Sequence, residues 1–226
     1  MSDHPGDPPV PPGDARRVTV SFDRLERWLA GVVARHGPLL WVGAPTLVTG
    51  AAADGTRLWI DVPFPPLPST VDTAGSADPV GALLAHVRRR RRIGLILVRR
   101  GGYGVAVFDG SELIASKVGS SYVQGTTKAG GWSQQRFARR RANQARSAFA
   151  TAADEAARVV LPQAAGLDAV VCGGDRAAVE AVLDDPRLAL LRAKRTVPWL
   201  AVPDPRLAVV EHAPEQFFAV TARIHP

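Results

Sequence analysis

Apolar residues recur along this chain with two periods, and the alternation between them lays out the elements. "RRVTVSFDRLERWLAGVVARHG" (16–37) opens as a short strand, offers Ser21 or Asp23 as a cap, and continues as an amphipathic helix stopped at Gly37. "TLVTGAAADGTRLWIDV" (46–62) predicts a hairpin turning near Asp54-Gly55. "DPVGALLAHVRRRRR" (78–92) predicts a helix ending in cations, which the negative end of its dipole favours. "IGLILVRRGGYGVAVFDGSELIASKV" (93–118) reads as a buried strand, a glycine-rich turn, a strand, a turn at Asp109-Gly110 and a third strand, which together make a meander. A loop over 119–132 leads into a long helix. "LDAVVCGGDRAAVEAVL" (167–183) supplies a strand, a glycine turn and a helix, and "VPWLAV" (197–202) and "EQFFAVTARI" (215–224) are the last strand candidates. Strands interleaved with helices predict an α/β protein whose mixed sheet is flanked by helices. No internal repeat is present.

Proline and glycine divide this pattern. Residues 1–15 hold five prolines and no periodic apolar signal, so they read as a disordered tail and not as a signal peptide. Residues 16–65 would form a small α+β unit, 66–79 a linker within "PFPPLPSTVDTAGSADP" (63–79), and 80–226 the main domain. With 46% hydrophobic and 22% charged residues in 226, the composition is that of an ordinary globular protein. No apolar run approaches the ~20 residues needed to cross a bilayer. A cytoplasmic location is therefore the expectation. One cysteine, Cys172, excludes an internal disulfide and a cysteine-based metal cluster.

Charge changes the picture more than composition does. The net charge is +7, and from Leu113 to Ala153 there is no Asp or Glu, while Lys117, Lys128, Arg136, Arg139, Arg140, Arg141 and Arg146 supply seven cations. Arg88 to Arg92, with Arg99 and Arg100, form a second block just upstream. Like charges three or four residues apart repel, so such blocks point to an anionic partner, and most simply to a phosphate backbone. The long helix carries Phe137, Ala145, Ala148, Phe149, Ala152, Ala156 and Val159 on one side, a stripe suited to close packing on a sheet. Arg136, Arg139, Arg140 and Arg146 project from the other side, with Arg141 nearer the apolar edge. The basic side is thus left for RNA rather than for a membrane surface.

Several other constellations have simpler explanations. "GGYGVAV" (101–107) has the look of a kinase glycine loop, but no matching lysine or catalytic loop follows, so a tight turn between strands is the better reading. Cys172 at a strand end has no histidine nearby in sequence and reads as a buried small thiol. The five histidines are scattered without metal-ligand spacing, and no metal or other cofactor is implied. Asp109, Asp168 and Asp175 lie near strand ends, where a metal-dependent nuclease would need clustered carboxylates; capping and turn roles explain them more simply.

What remains is "GTTKAGGWSQQRFARRRANQ" (125–144), a basic glycine loop ending in glutamine ahead of an arginine-rich helix. Together with the "RRGGYGVAVFDG" meander, it resembles the catalytic domain of eukaryotic and archaeal peptide-chain release factors. More closely, it resembles the actinobacterial branch of the Vms-type release-factor-like peptidyl-tRNA hydrolases. The resemblance covers about 80–226 and implies a ribonuclease-H-like, three-layer domain that releases the nascent chain from tRNA at the large ribosomal subunit. In release factors proper, glutamine directly follows two glycines. Here Trp132 and Ser133 separate Gly130 and Gly131 from Gln134, with Gln135 adjacent. Gln134 matches the family glutamine best, and Gln135 is its alternative.

The local chemistry fits that activity. Water must attack an ester carbonyl, yet the segment from Leu113 to Ala153 offers neither carboxylate nor imidazole as general base. Catalysis would rest on positioning, which in ideal intramolecular cases is worth ~7–11 kcal/mol. A glutamine amide donates and accepts hydrogen bonds without a charge that phosphates would repel or trap. Gly130 and Gly131 allow backbone N–H groups close to a developing oxyanion. Trp132 either stacks on a base or anchors the helix entry, and Ser133 is placed to cap the helix. Lys128, Arg136, Arg139, Arg140, Arg141 and Arg146 would bind ribosomal or transfer RNA phosphates without reading sequence. No stop-codon-reading region is recognisable, so release would be codon-independent and would serve stalled ribosomes; DNA and membrane are not expected partners. The alternative is a non-catalytic RNA- or ribosome-binding module that uses the basic helix alone.

Overall fold

The computed structural model describes residues 10–68, 77–120 and 132–226, with the backbone alone at 132–143 and at Ala145. In chain order the elements are β1 (Arg16–Val20), a 3-10 turn (Phe22–Arg24), α1 (Leu25–His36), β2 (Leu39–Gly43), β3 (Leu47–Ala52), β4 (Arg57–Asp61) and α2 (Pro79–Arg88). There follow β5 (Arg92–Arg99), β6 (Gly102–Asp109), β7 (Glu112–Ser120), α3 (Trp132–Val159) and, after a 3-10 turn, β8 (Ala169–Gly174). The chain closes with α4 (Arg176–Leu183), α5 (Ala189–Ala193), β9 (Arg195–Leu200), α6 (Leu207–Glu211), α7 (Ala213–Phe217) and β10 (Val220–His225). No helix among the described residues is long and apolar enough to cross a membrane.

Two compact units result, one made of the chain up to Arg89 together with Phe218–Pro226, the other of Arg90–Phe217. The first has an antiparallel sheet in the order β1-β10-β4-β3-β2. Val48, Leu58, Ile60 and Ala222 on one face of it pack with Leu25, Leu29 and Val32 of α1 and with Leu83 and Val87 of α2. Gly37 ends α1 at φ 83°, a conformation that any side chain would strain. Gly55, at φ 95°, makes the hairpin turn, and Asp54 braces it through Thr56 N–H (2.9 Å) and His36 Nδ1 (2.8 Å).

This division differs from the linear one. Helix α2, assigned by sequence partly to the linker and partly to the main domain, places Leu83 and Val87 in the first unit's core. The last strand, assigned to the main domain, lies between β1 and β4. Alternation of apolar residues identifies a strand but does not say which sheet it joins. Strand β2 was not anticipated either, and the first three residues of the last strand candidate, 215–217, belong to α7 (Ala213–Phe217).

The second unit is the expected mixed sheet, in the order β7-β6-β5-β8-β9. Strands β5, β6 and β7 form the antiparallel meander, turning at Asp109-Gly110 with Gly110 at φ 62°. Parallel pairs join β5 to β8 and β8 to β9. Helices cover both faces, which is why Ile93 to Val98 are buried without interruption. On one face Ile96, Val98, Val105 and Val107 meet Ala152, Ala153, Ala156 and Val160, with Val179 and Val182 of α4 beside them. On the other, the Phe108 and Phe217 rings pack edge to face at 5.6 Å.

Candidate RNA-facing loop and helix

The segment that carries the motif leaves the sheet from the end of β7. Gly102 pairs with Ser120 and Tyr103 with Gly119 at that end. A Cβ at Gly119 would collide with the Tyr103 ring, and one at Gly102 with the Gly119 carbonyl oxygen. Both glycines are therefore fixed by close approach, and the strand pair that launches the loop is tightly packed. The register places the end of β5 at Arg99, of β8 at Gly174 and of β9 at Leu200 at this same end of the sheet.

Lys128, Gly130 and Gly131 lie outside the described residues. Trp132, Gln134, Gln135, Arg136, Arg139, Arg140 and Arg141 are helical in backbone, and their side chains also lie outside them. Helix α3 starts at Trp132, so Ser133 sits inside its first turn and does not precede it; helix starts move by a residue with the local geometry of the entering chain. Arg146 is exposed, as the helical periodicity requires.

The length of α3 matters for reach. Its 28 residues span about 42 Å at 1.5 Å each, whereas the eight residues of β5 span about 26 Å. The C-terminal end is held at the far end of the sheet, where Val160 and Leu167 crowd Gly94. Phe149, Ala152, Ala153 and Ala156 pack on the sheet, so the excess length falls at the N-terminal, arginine-bearing end. The first turn of α3 contains no acidic residue to offset the positive end of its dipole. A helix N-terminus without acidic residues favours anions, and here it falls in the arginine-bearing part of the sequence.

The upstream basic block behaves otherwise. It is free of acids in sequence but not in space. Arg88 pairs with Glu26, Arg90 with Asp109 (2.7 Å) and Glu112 (3.5 Å), and Arg92 with Asp109 (4.0 Å), while Arg91 is buried. Arg99 donates to the Val202 carbonyl (2.7 Å) and pairs with Asp204 (3.5 Å). Arg88, Arg90, Arg92 and Arg99 of the second basic block therefore have partners in space that the sequence did not show. Arg88 thus pairs within the first unit, and Arg90 and Arg92 within the second. The Arg90 guanidinium keeps the Asp109 carboxyl below its ordinary range.

The carboxylates weighed for a nuclease are likewise engaged. Asp168 accepts from the Arg92 backbone N–H (2.8 Å), and Asp175 caps α4 by accepting from Ala177 and Ala178 N–H (3.0 and 3.4 Å). Among the described residues no three His, Cys, Asp or Glu groups gather as metal ligands. Cys172 is buried in the sheet, and desolvation pushes its thiol up to about 12, so it is not a thiolate nucleophile. The chain turns tightly at Arg100-Gly101 between β5 and β6, as expected, and Gly102, Tyr103 and Gly104 already belong to β6. Two features escaped sequence reading: the Gly102–Gly119–Tyr103 packing and a stack of Arg176 on Trp199 (4.4 Å to the ring centroid). Only glycine at 119 gave any signal of the first, and pairing between residues 23 apart gave none of the second.

Residues 91–223 match the model of the Actinobacteria/chloroflexi VLRF1 release factor family, and the chain belongs to that family. Among solved structures, an archaeal translation termination factor, aRF1, aligns at 13% identity over 88% of this chain and 73% of its own, with a TM-score of 0.42. S. cerevisiae Dom34, a translation termination-like factor involved in RNA quality control pathways, aligns at 8% identity over 90% and 66%, with a TM-score of 0.33. A chain described as "Archaeal protein" aligns at 16% identity over 75% of this chain, which spans about half (52%) of its length, with a TM-score of 0.40. No curated protein matches by sequence.

Proposed function

We propose that this protein hydrolyses the ester of peptidyl-tRNA on the large ribosomal subunit, independently of the codon, and so releases nascent chains from stalled complexes. The observation that carries this reading is that the family match over 91–223 includes the whole glycine–glutamine segment and α3. Water adds to the ester carbonyl carbon, the ribose oxygen leaves and takes up a proton, and the peptide departs as a carboxylic acid. Gln134, with Gln135 as the alternative, orients the water. Backbone N–H groups at Gly130 and Gly131 meet the oxyanion. Lys128, Trp132, Arg136, Arg139, Arg140, Arg141 and Arg146 hold ribosomal and transfer RNA, the cations through phosphates. The length of α3 and its acid-free start support this division of labour, because they carry the cations beyond the sheet.

Incubating purified protein with isolated large subunits bearing labelled peptidyl-tRNA, with no messenger present, tests the reading. Release of free peptide is the expected result. A protein that binds those subunits and releases nothing is instead an RNA-binding module.

A further inference from the structure

We propose that the loop-bearing end of the mixed sheet carries a second RNA contact, centred on Arg176 stacked on Trp199, which receives the sugar-phosphate backbone of the RNA held by α3. The proposal rests on the release-factor reading and adds a surface to it. Three observations carry it. First, Trp199 is fixed by its indole N–H, which donates to the Gly174 carbonyl at the end of β8 (3.2 Å). Second, the Arg176 guanidinium lies 4.4 Å over the ring, and no carboxylate among the described residues is within ion-pair distance of it. Stacking sets the plane of the guanidinium while its N–H edges stay available, which is the geometry that takes a phosphate bidentately. Third, the sheet register puts the ends of β8 and β9 at the same end as Ser120, where the motif segment departs.

Other charges at this end favour an anion. Arg99 points at the Val202 carbonyl and offsets Asp204, and Arg100 is exposed beside it. Asp204 lies against Gly101 and Pro205 against Gly104, so exposed Arg206 belongs to the same rim. Carboxylates near it are Asp175, whose Oδ1 accepts from two α4 N–H groups, Asp204, which pairs with Arg99, and Glu180, one turn along α4 and paired with Arg195. Ligands of open α/β sheets gather at the carboxyl ends of the strands where the topology switches. Here β5 has an antiparallel neighbour on one side and a parallel one on the other. Strands about 4.8 Å apart put β8 roughly 14 Å from β7, about two phosphates along an RNA strand. An RNA strand passing the end of β7 therefore reaches this rim within about two phosphates.

The test is a salt titration of binding by the full-length protein to a fluorescently labelled tRNA acceptor-stem minihelix. Arg176→Ala is expected to weaken binding and to lower the slope of log affinity against log salt by about 1. Arg176→Lys should recover part of the affinity. Arg192→Ala removes an equal charge at the other end of the sheet, where Arg192 pairs with Asp184 (2.7 Å), and should change neither quantity. Thermal melts confirm that each variant is folded. Wild-type binding by Arg176→Ala, or equal losses in Arg176→Ala and Arg192→Ala, overturns the rim and leaves peptide release untouched. Failure of wild type to bind the minihelix or the large subunit at all overturns both readings.

Discussion

At Gly119 the backbone of β7 passes directly beneath the Tyr103 ring, and no side chain fits between them. Gly119→Ala should cost about 1–3 kcal/mol of stability in a denaturant melt, the usual range for overpacking. Tyr103→Ala on the same chain should lose less in the Gly119→Ala background than alone, because the collision is gone; additive losses would show that the two do not touch in solution. Cys172 makes the opposite kind of point. With its thiol pushed up to about 12 by burial, it should resist alkylation in the folded protein and react once denaturant is added. Asp109 gives the pH dependence. Arg90 holds its carboxyl below its ordinary value of 3.8, so this pairing stabilises the fold above that value and is lost as pH falls through the lowered one. The drop in melting temperature between neutral and acidic pH should accordingly be smaller in Asp109→Asn than in wild type.

Among the elements, α3 joins two roles in one helix. Its sheet-facing alanines are fully enclosed, so Ala156→Leu should cost about 1–3 kcal/mol, whereas Arg146→Ala on the exposed side should stay within about 0.5 kcal/mol of wild type and still weaken RNA binding. Small residues at helical spacing made this helix legible in the sequence, and alternation made the meander legible. Tight turns at Asp54-Gly55 and Asp109-Gly110 followed from glycine's tolerance of positive φ. What was not legible is non-local. The acids that neutralise Arg90 and Arg99 arrive from 19 and 105 residues away, so a charge run alone could not separate a structural cluster from a binding face. Helices α5, α6 and α7 are five residues each, too short for a 3.6-residue period to register. The glycines, glutamines and cations of the proposed site are contiguous and so stand out as a motif, while the Arg176–Trp199 stack is assembled from two elements and left no local trace.

For the whole molecule, chain order and spatial order part at both ends of the second unit. A fragment of residues 90–217 carries its entire core and should melt cooperatively alone, whereas residues 80–226 would strand Leu83, Val87, Val220 and Ala222 without partners and should aggregate. Membership of the VLRF1 release factor family supports the central proposal, that a neutral glutamine shortly after a glycine pair directs ester hydrolysis. The most direct test compares nascent-peptide release from stalled ribosomal complexes by wild type, Gln134→Ala and Gln135→Ala, with ribosome binding followed in parallel. The account predicts that one variant, Gln134→Ala first, loses release while binding stays at the wild-type level. Full release by both single variants and by the double variant, at unchanged binding, would contradict it.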